Sequence, residues 1–249
     1  MCELYLHASD TRTSDHPRLA EFLDHSREPH DNPDGWGVAF HLGDDAHLFH
    51  EPVPAHASEL ARWVVEHPKN VSTVVAHIRA ASTGDVTLAN TQPLSRVIGQ
   101  KRILFAHNGS VKPLKESPRG EALCGRALGT ADSEVAFLAF VDWACGRALA
   151  DCVEDFPDFA ARMCDYGPFN VIITDGVDVL AHSDRRKHTG ESEFRGPGLY
   201  LQRPRDGSLL LTSQPLMDAC DPVPEGTTLH IRGSRVLRRM PDEELEAAA

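Results

Sequence analysis

The sequence has no apolar run approaching the roughly 18 residues that a membrane-spanning helix needs. Its opening, Met-Cys-Glu-Leu-Tyr-Leu-His, lacks the basic and apolar segments of a secretory signal. A cytoplasmic protein is expected. None of the 6 cysteines stands in a C-x-x-C pair, so neither a zinc ribbon nor a disulfide framework is indicated. Positive charge is also short: 25 Lys and Arg face 37 Asp and Glu among 249 residues, a formal net charge of −12. Binding a phosphate backbone needs concentrated cations. The basic stretches, 185–188 and 232–239, are brief and read as solvated loops or edges. Neither nucleic acid nor membrane is expected as a partner. Gly and Pro, 18 and 17, are too few for a fibrous or wholly disordered chain. The 14 histidines are scattered, with no H-x-x-x-H or H-x-H pair aligned to a carboxylate, so no metal site is expected and no cofactor is implied.

What is present is strand pattern. Alternating and β-branched runs predict about nine strands, at 4–8, 37–42, 72–78, 102–106, 168–174, 177–181, 199–202, 209–213 and 227–231. Helical periodicity falls at 18–25, 58–67, 133–149 and 156–164, with Asp132 where the N-cap of the long helix belongs. Asp175-Gly176 reads as a two-residue hairpin turn. Residues 190–198 read as a loop, and 243–249 as a frayed helix or a cloning remnant. The helices cluster in mid-chain instead of alternating with strands. That disfavours a doubly wound parallel sheet and favours an α+β arrangement of antiparallel sheets packed on each other with helices outside.

Five constellations carry chemistry, each with a plainer structural reading beside it. Cys2 follows a Met that aminopeptidase removes when the second residue is small; processing would leave a thiol, with a pKa of about 8.5, beside its own α-amine at about 7.7–8.0. Such a pair activates a nucleophile without a histidine; otherwise Cys2 is a small residue on the first strand. Asn108 and Gly109 end a strand, where a carboxamide N–H and a backbone N–H can form an oxyanion hole. The alternative is an Asn-Gly hairpin turn, although residues 111–120 supply no alternating return strand. Arg79, followed by Ser82, Thr83 and Gly84, suits a carboxylate clamp or a surface arginine after an edge strand. Asp132 either caps its helix or meets an ammonium group. Gly35 and Trp36, within Asp34-Gly35-Trp36-Gly37, form a pocket wall or a structural turn.

Together, Met1-Cys2-Glu3-Leu4, Asp34-Gly35-Trp36-Gly37, Val75-Ala76-His77-Ile78-Arg79, Asn90-Thr91-Gln92-Pro93, Ala106-His107-Asn108-Gly109 and Asp132-Ser133-Glu134 resemble, in content and order, the class II glutamine amidotransferases, and most closely their free-standing YafJ-type members. The motifs cover residues 2 to about 140, with later hairpins at about 168–240 completing a single domain over 2–249. The resemblance implies a four-layer αββα sandwich of two antiparallel sheets, the N-terminal-nucleophile (Ntn) hydrolase fold. It also implies Cys2 as nucleophile with its own α-amine as base, Asn108 and Gly109 as oxyanion hole, Arg79 on the substrate α-carboxylate and Asp132 on its α-ammonium. Ser82 takes the place of a substrate-binding Thr in relatives, Thr83 stands where some carry His, and Gly35, Trp36 and His107 wall the pocket. The implied function is a glutaminase that hydrolyses the side-chain amide of glutamine or a γ-glutamyl amide through a Cys2 thioester, releasing ammonia or an amine. Because the chain ends before a synthase domain would fit, the ammonia acceptor is expected to be a separate synthase. Two alternatives stand beside this: a γ-glutamyl peptide or conjugate hydrolase without ammonia transfer, and a non-catalytic glutamine-binding regulatory module.

Overall fold

The computed structural model describes residues 1–188 and 190–241. The chain runs through β1 (Glu3–Thr13), α1 (Leu19–Asp24), β2 (Trp36–Leu42), β3 (Asp45–Glu51), α2 (Glu59–Glu66), β4 (Val71–Ile78), β5 (Leu94–Ile98) and β6 (Lys101–Gly109). Next come α3 (Lys112–Lys115), α4 (Pro118–Cys124), α5 (Asp132–Ala144), α6 (Phe156–Cys164), β7 (Phe169–Thr174) and β8 (Asp178–Ser183). The last strands are β9 (Arg186–Lys187), β10 (Phe194–Arg195), β11 (Leu199–Gln202), β12 (Leu209–Thr212), β13 (Asp221–Val223), β14 (Thr227–Arg232) and β15 (Arg235–Met240).

Two antiparallel sheets dominate, a 7-stranded one in the order β13-β11-β12-β1-β4-β2-β3 and a 6-stranded one in the order β15-β14-β8-β7-β6-β5; β9 and β10 form a small ribbon. Because side chains alternate along a strand, each sheet buries two faces against different neighbours. Leu4, Leu6 and Val75 of the first sheet meet Leu104, Ala106, Ile172 and Ala181 of the second, which makes an inner core. Tyr5, Val74 and Ala76 face the other way and pack with Phe22 of α1 and Val64 of α2. Phe105, Val171 and Ile173 pack with Phe137 and Phe140 of α5 and Phe159 of α6. The layers are therefore helix, sheet, sheet, helix, the αββα sandwich that the motifs implied.

All nine expected strands form, but alternation did not reveal six others. β3, β15 and β13 lie at sheet edges, where solvent permits Asp45-Ala46-His47, the arginines of 235–239 and Pro222. The basic run 232–239 is thus largely an edge strand. The long helix begins at Asp132 with Ala131 as its N-cap, and stops at Ala144 because Cys145 and Gly146 take positive φ, 50° and 79°. The segment 111–120 holds two short helices, each with a proline in its first turn, the second capped by Ser117, whose Oγ accepts from Gly120 N–H at 3.1 Å. The 175–177 turn has three residues, not two, and Asp175 accepts from the N–H groups of Val177 (3.0 Å) and Asp178 (2.8 Å). The expectation for 243–249 lies outside the described residues.

At the start of β1, Glu3 is 1% exposed and accepts from Nδ1 of His25 (2.7 Å) and of His30 (3.0 Å), tying the strand to α1 and the loop after it. Burial alone would raise its pKa. The hydrogen bonds from His25 and His30 and the positive field of Arg186 prevail and hold it at about 2.

Phe140 lies at 5.6 Å from Phe159 in a near-perpendicular pairing at 78°. Phe140→Ala is expected to destabilise the fold by about 3–5 kcal/mol, read from urea denaturation; a loss below about 1 kcal/mol would contradict this packing. Since the Glu3 carboxyl titrates lower in the folded state than its ordinary 4.5, its stabilisation is complete above pH 4.5 and is lost as pH falls toward about 2. The urea midpoint of the native protein should fall more steeply across that window than that of Glu3→Gln; parallel curves would disprove the assignment.

Candidate active site

The inner rows of the two sheets end in polar residues. Along β1 the row that buries Leu6 and Leu4 reaches Cys2. On β6 the row of Leu104 and Ala106 reaches Asn108, and on β4, β7 and β12 the same parity brings His77, Asn170 and Ser213. Cys2 and Asn108, far apart in sequence, thus end rows that face each other across the inner core. The register locks this end: Leu4 N–H donates to Ser213 Oγ (2.9 Å) and Ser213 N–H to the Leu4 carbonyl (3.0 Å). Asn170 Nδ2 donates to the Asn108 carbonyl at 3.0 Å.

Asn108 is fully buried, yet neither its carboxamide nitrogen nor its oxygen has a partner among the described residues. Leaving a buried amide unsatisfied costs about 1–3 kcal/mol per group, so the group is available to something outside the chain. Gly109 follows on the same strand and is not a turn: the Asn-Gly pair continues β6 into its pairing with β7. A side chain there would collide with the backbone, since a Cβ on Gly109 would lie 1.8 Å from the Pro168 carbonyl oxygen. Cys2 is partly buried, and its thiol donates to the Ala80 carbonyl at 3.4 Å. Burial pushes the thiol pKa up, against the fields of the N-terminal ammonium and Arg79.

Cys2, Arg79, Ser82, His107, Gly109 and Asp132 line one cavity of ≈ 20 Å³. Arg79, at the end of β4, donates from Nη1 to the Asp85 carbonyl (3.0 Å) and from Nη2 to those of Thr83 (3.0 Å) and Gly84 (3.2 Å). The loop after the strand therefore wraps its own guanidinium. The first turn of α5 forms the facing wall. Asp132 Oδ2 accepts from Val111 N–H (2.7 Å), and Ser133 Oγ lies 2.9 Å from His107 Nδ1. His107 Nε2 lies 3.4 Å from the Pro168 carbonyl, which can only accept, so Nε2 carries the proton and Nδ1 accepts from Ser133. Burial holds the His107 pKa below its usual value, and the ring is neutral. The Gln92 side chain pairs with the His107 backbone, accepting at 2.7 Å and donating at 3.3 Å.

Gly35 and Trp36 are not brought to this cavity. Trp36 is fully buried in the outer core, against the helices of the first sheet. Gly35 and its neighbours brace the site from behind: Arg79 N–H donates to the Gly35 carbonyl (2.8 Å), Asp34 Oδ2 accepts from Ala81 N–H (2.7 Å), and a Cβ on Gly37 would lie 2.2 Å from the Gln92 carbonyl oxygen. The motif expected to wall the pocket therefore supports the site from behind.

Sequence reading missed the cluster of Glu3, His25 and His30, whose ligand-type atoms lie within 4.8 Å of one another. The two imidazoles stack at 3.6 Å with planes 3° apart. An ion bound by both Nδ1 lone pairs would have to lie in both ring planes, and parallel planes share no point. The arrangement suits one carboxylate accepting from two imidazoles. Neither histidine lies within a recognisable spacing pattern, so only the fold reveals the pair.

Residues 1–192 match the family description Glutamine amidotransferases class-II. YafJ of Escherichia coli (strain K12) is 32% identical over 161 residues, which are 62% of this chain and 62% of that protein. MJ1515 of Methanocaldococcus jannaschii is 30% identical over 189 residues, 75% of this chain and 52% of its own length. The chain thus spans only 62% and 52% of these curated relatives. Among solved structures, a "predicted glutamine amidotransferase" from Pseudomonas aeruginosa PA01 superposes with a TM-score of 0.65 at 22% identity, covering 95% of this chain and 100% of that one. Glutamine phosphoribosylpyrophosphate amidotransferase of B. subtilis gives 0.64 at 15% identity, covering 95% of this chain and 49% of that one. At such identities the structural likenesses establish the fold alone. No helix among the described residues is long and apolar enough to cross a membrane. With the family match running through residues 1–192, the chain belongs to the class II glutamine amidotransferases.

Proposed function

We propose that the protein hydrolyses γ-glutamyl amides, glutamine among them, through a thioester on Cys2 within one domain that takes in residues 2–249. The observation that carries this is the buried, unpartnered carboxamide of Asn108, at the end of the inner row that faces the row ending in Cys2. Removal of Met1 leaves Cys2 with a free α-amine, which takes the thiol proton. The sulfur then attacks the γ-carbonyl carbon, and the charge on oxygen is held by Asn108 Nδ2–H and Gly109 N–H. The ammonium returns its proton to the departing nitrogen as the C–N bond breaks, leaving an acyl-sulfur bond and a free amine. Water, deprotonated by the same α-amine, adds to the thioester. The C–S bond breaks, glutamate departs, and the sulfur regains its proton.

Arg79 meets the α-carboxylate of the substrate and Asp132 its α-ammonium, with Ser82 and the neutral His107 beside them in the same cavity. Asp132 spends Oδ2 on Val111 and keeps Oδ1 for this contact. A nucleophile and an acceptor for ammonium in one cavity, with Gly109 lining it and the vacant Asn108 carboxamide on the residue before, favour catalysis over a binding module, which has no use for nucleophile or oxyanion donor.

Intact-mass measurement should show the chain shortened by Met1, and a uniformly retained Met1 in an active preparation would overturn the role of the α-amine. Cys2→Ala should lose γ-glutamyl hydrolysis entirely, and Asn108→Ala should lose about a hundredfold or more in kcat with little change in KM. Asp132→Asn should chiefly raise KM, by about tenfold or more for a lost charge-assisted hydrogen bond. Unchanged turnover in Cys2→Ala would refute the mechanism.

A further inference from the structure

Cys2, Ser82 and Gly109 also wall a second, larger cavity of ≈ 300 Å³, which Arg79 and Asp132 do not line and which Ala80, Ser110, Lys187 and Phe194 bound further. If the amino-acid end of the substrate lies between Arg79 and Asp132, this is the volume that receives the departing amine. Ammonia has no need of such a space. Lys187 of β9 stands with its ammonium 5.1 Å from the centroid of the Phe194 ring on β10. It forms no ion pair among the described residues, and the nearby carboxylates are engaged elsewhere: Glu3 by His25 and His30, Glu191 by Arg195.

The preceding residue lies on the other side of Met1, its charge facing Glu3. Arg186 is 1% exposed, its Nη1 donates to the Ser213 carbonyl, and its Nε has no partner among the described residues. Arg186, Met1 and Lys187 border a further recess of ≈ 190 Å³ together with Glu3, which His25 and His30 hold, and Glu191, which Arg195 holds. Met1 and Lys187 line both spaces, so the processing that frees the Cys2 amine removes a shared wall and widens the leaving side toward Arg186. Among the residues lining the larger cavity, Lys187 is the one charged side chain, and Phe194 gives it one aromatic wall. A partly desolvated ammonium is best satisfied there by an anion.

We propose that the enzyme selects γ-glutamyl compounds whose amine portion carries a carboxylate, namely γ-glutamyl amino acids and peptides, with Lys187 reading that carboxylate and Phe194 covering the adjoining side chain. This rests on the hydrolase reading above and names its substrate class. Lys187 is a specificity residue: it touches the leaving group and takes no part in bond making.

The test compares kcat/KM of the processed protein for glutamine, γ-glutamylglycine and γ-glutamylglycinamide, the last matching the second in shape without its charge. The native enzyme should favour γ-glutamylglycine over the glycinamide by about tenfold or more, as expected for one charge-assisted contact. Lys187→Met should bring that ratio to within about twofold of unity, and Lys187→Arg should preserve it. A ratio near one in the native enzyme, or one that survives in Lys187→Met, overturns this inference while glutamine hydrolysis upholds the parent reading. Cleavage of none of the three compounds by the processed enzyme overturns both.

Discussion

The central position of β1 governs the site. The strand pairs on one side with β12, from Tyr5 to Ala8, and on the other with β4, from Glu3 onward, so Cys2 stands directly before a strand held from both flanks. Chain termini ordinarily fray. Here Tyr5 to Ala8 are paired on both sides in the middle of a 7-stranded sheet, and Glu3 is anchored to two histidines besides. A nucleophile whose base is its own α-amine needs this, because any play in the backbone at Cys2 displaces sulfur and amine together from the carbonyl they act on.

The facing wall depends on three adjacent side chains of α5. Asp132 accepts from Val111, Ser133 meets His107, and Glu134 pairs with Arg96 while accepting from the N–H groups of Leu128 (3.0 Å) and Gly129 (2.7 Å). Asn90 completes the frame: its Oδ1 accepts from Thr130 (2.7 Å) and Ala131 (2.9 Å), and its Nδ2 donates to the Asp85 carbonyl (2.9 Å). Buried polar groups are tolerable when every member has a partner. Beside that bonded frame, the inner rows end in polar groups without partners among the described residues, the carboxamide of Asn108 and the ring of His77, and the Asn108 group ends the row that faces the row of Cys2.

Much of this was legible because period two carries so much information in a sandwich. Leu4, Leu6, Leu104 and Ala106 announce inner rows, and simple extrapolation of parity places Cys2 and Asn108 at their ends. The ordered motifs gave the family and, through it, the layers. Edge strands escaped because solvent removes the need for alternation, as the sequence of β15 shows. Trp36 was misplaced for a related reason: a glycine-flanked tryptophan fits a pocket wall and a tightly packed turn equally well, and only the fold shows its ring among Tyr5, Val38 and Phe22. Glu3 with His25 and His30, and Lys187 with Phe194, are tertiary meetings with no local pattern to betray them.

The cavity between Arg79 and Asp132, at ≈ 20 Å³, holds about one water molecule. A glutamyl group is far larger, so on the proposed reading the loop at 81–86, largely exposed, must yield when substrate binds. The same guanidinium that would clamp the substrate now holds the loop, through three neutral carbonyls. The guanidinium's bonds to these carbonyls carry charge on the donor alone, whereas an α-carboxylate brings the opposite charge and a bidentate geometry, so it competes for Arg79 better than an uncharged ligand does. Recognition of the amino-acid end and opening of the site then become one event. Such coupling spends part of the binding energy on rearrangement and raises selectivity in return. A ligand without the carboxylate meets a cavity that stays closed.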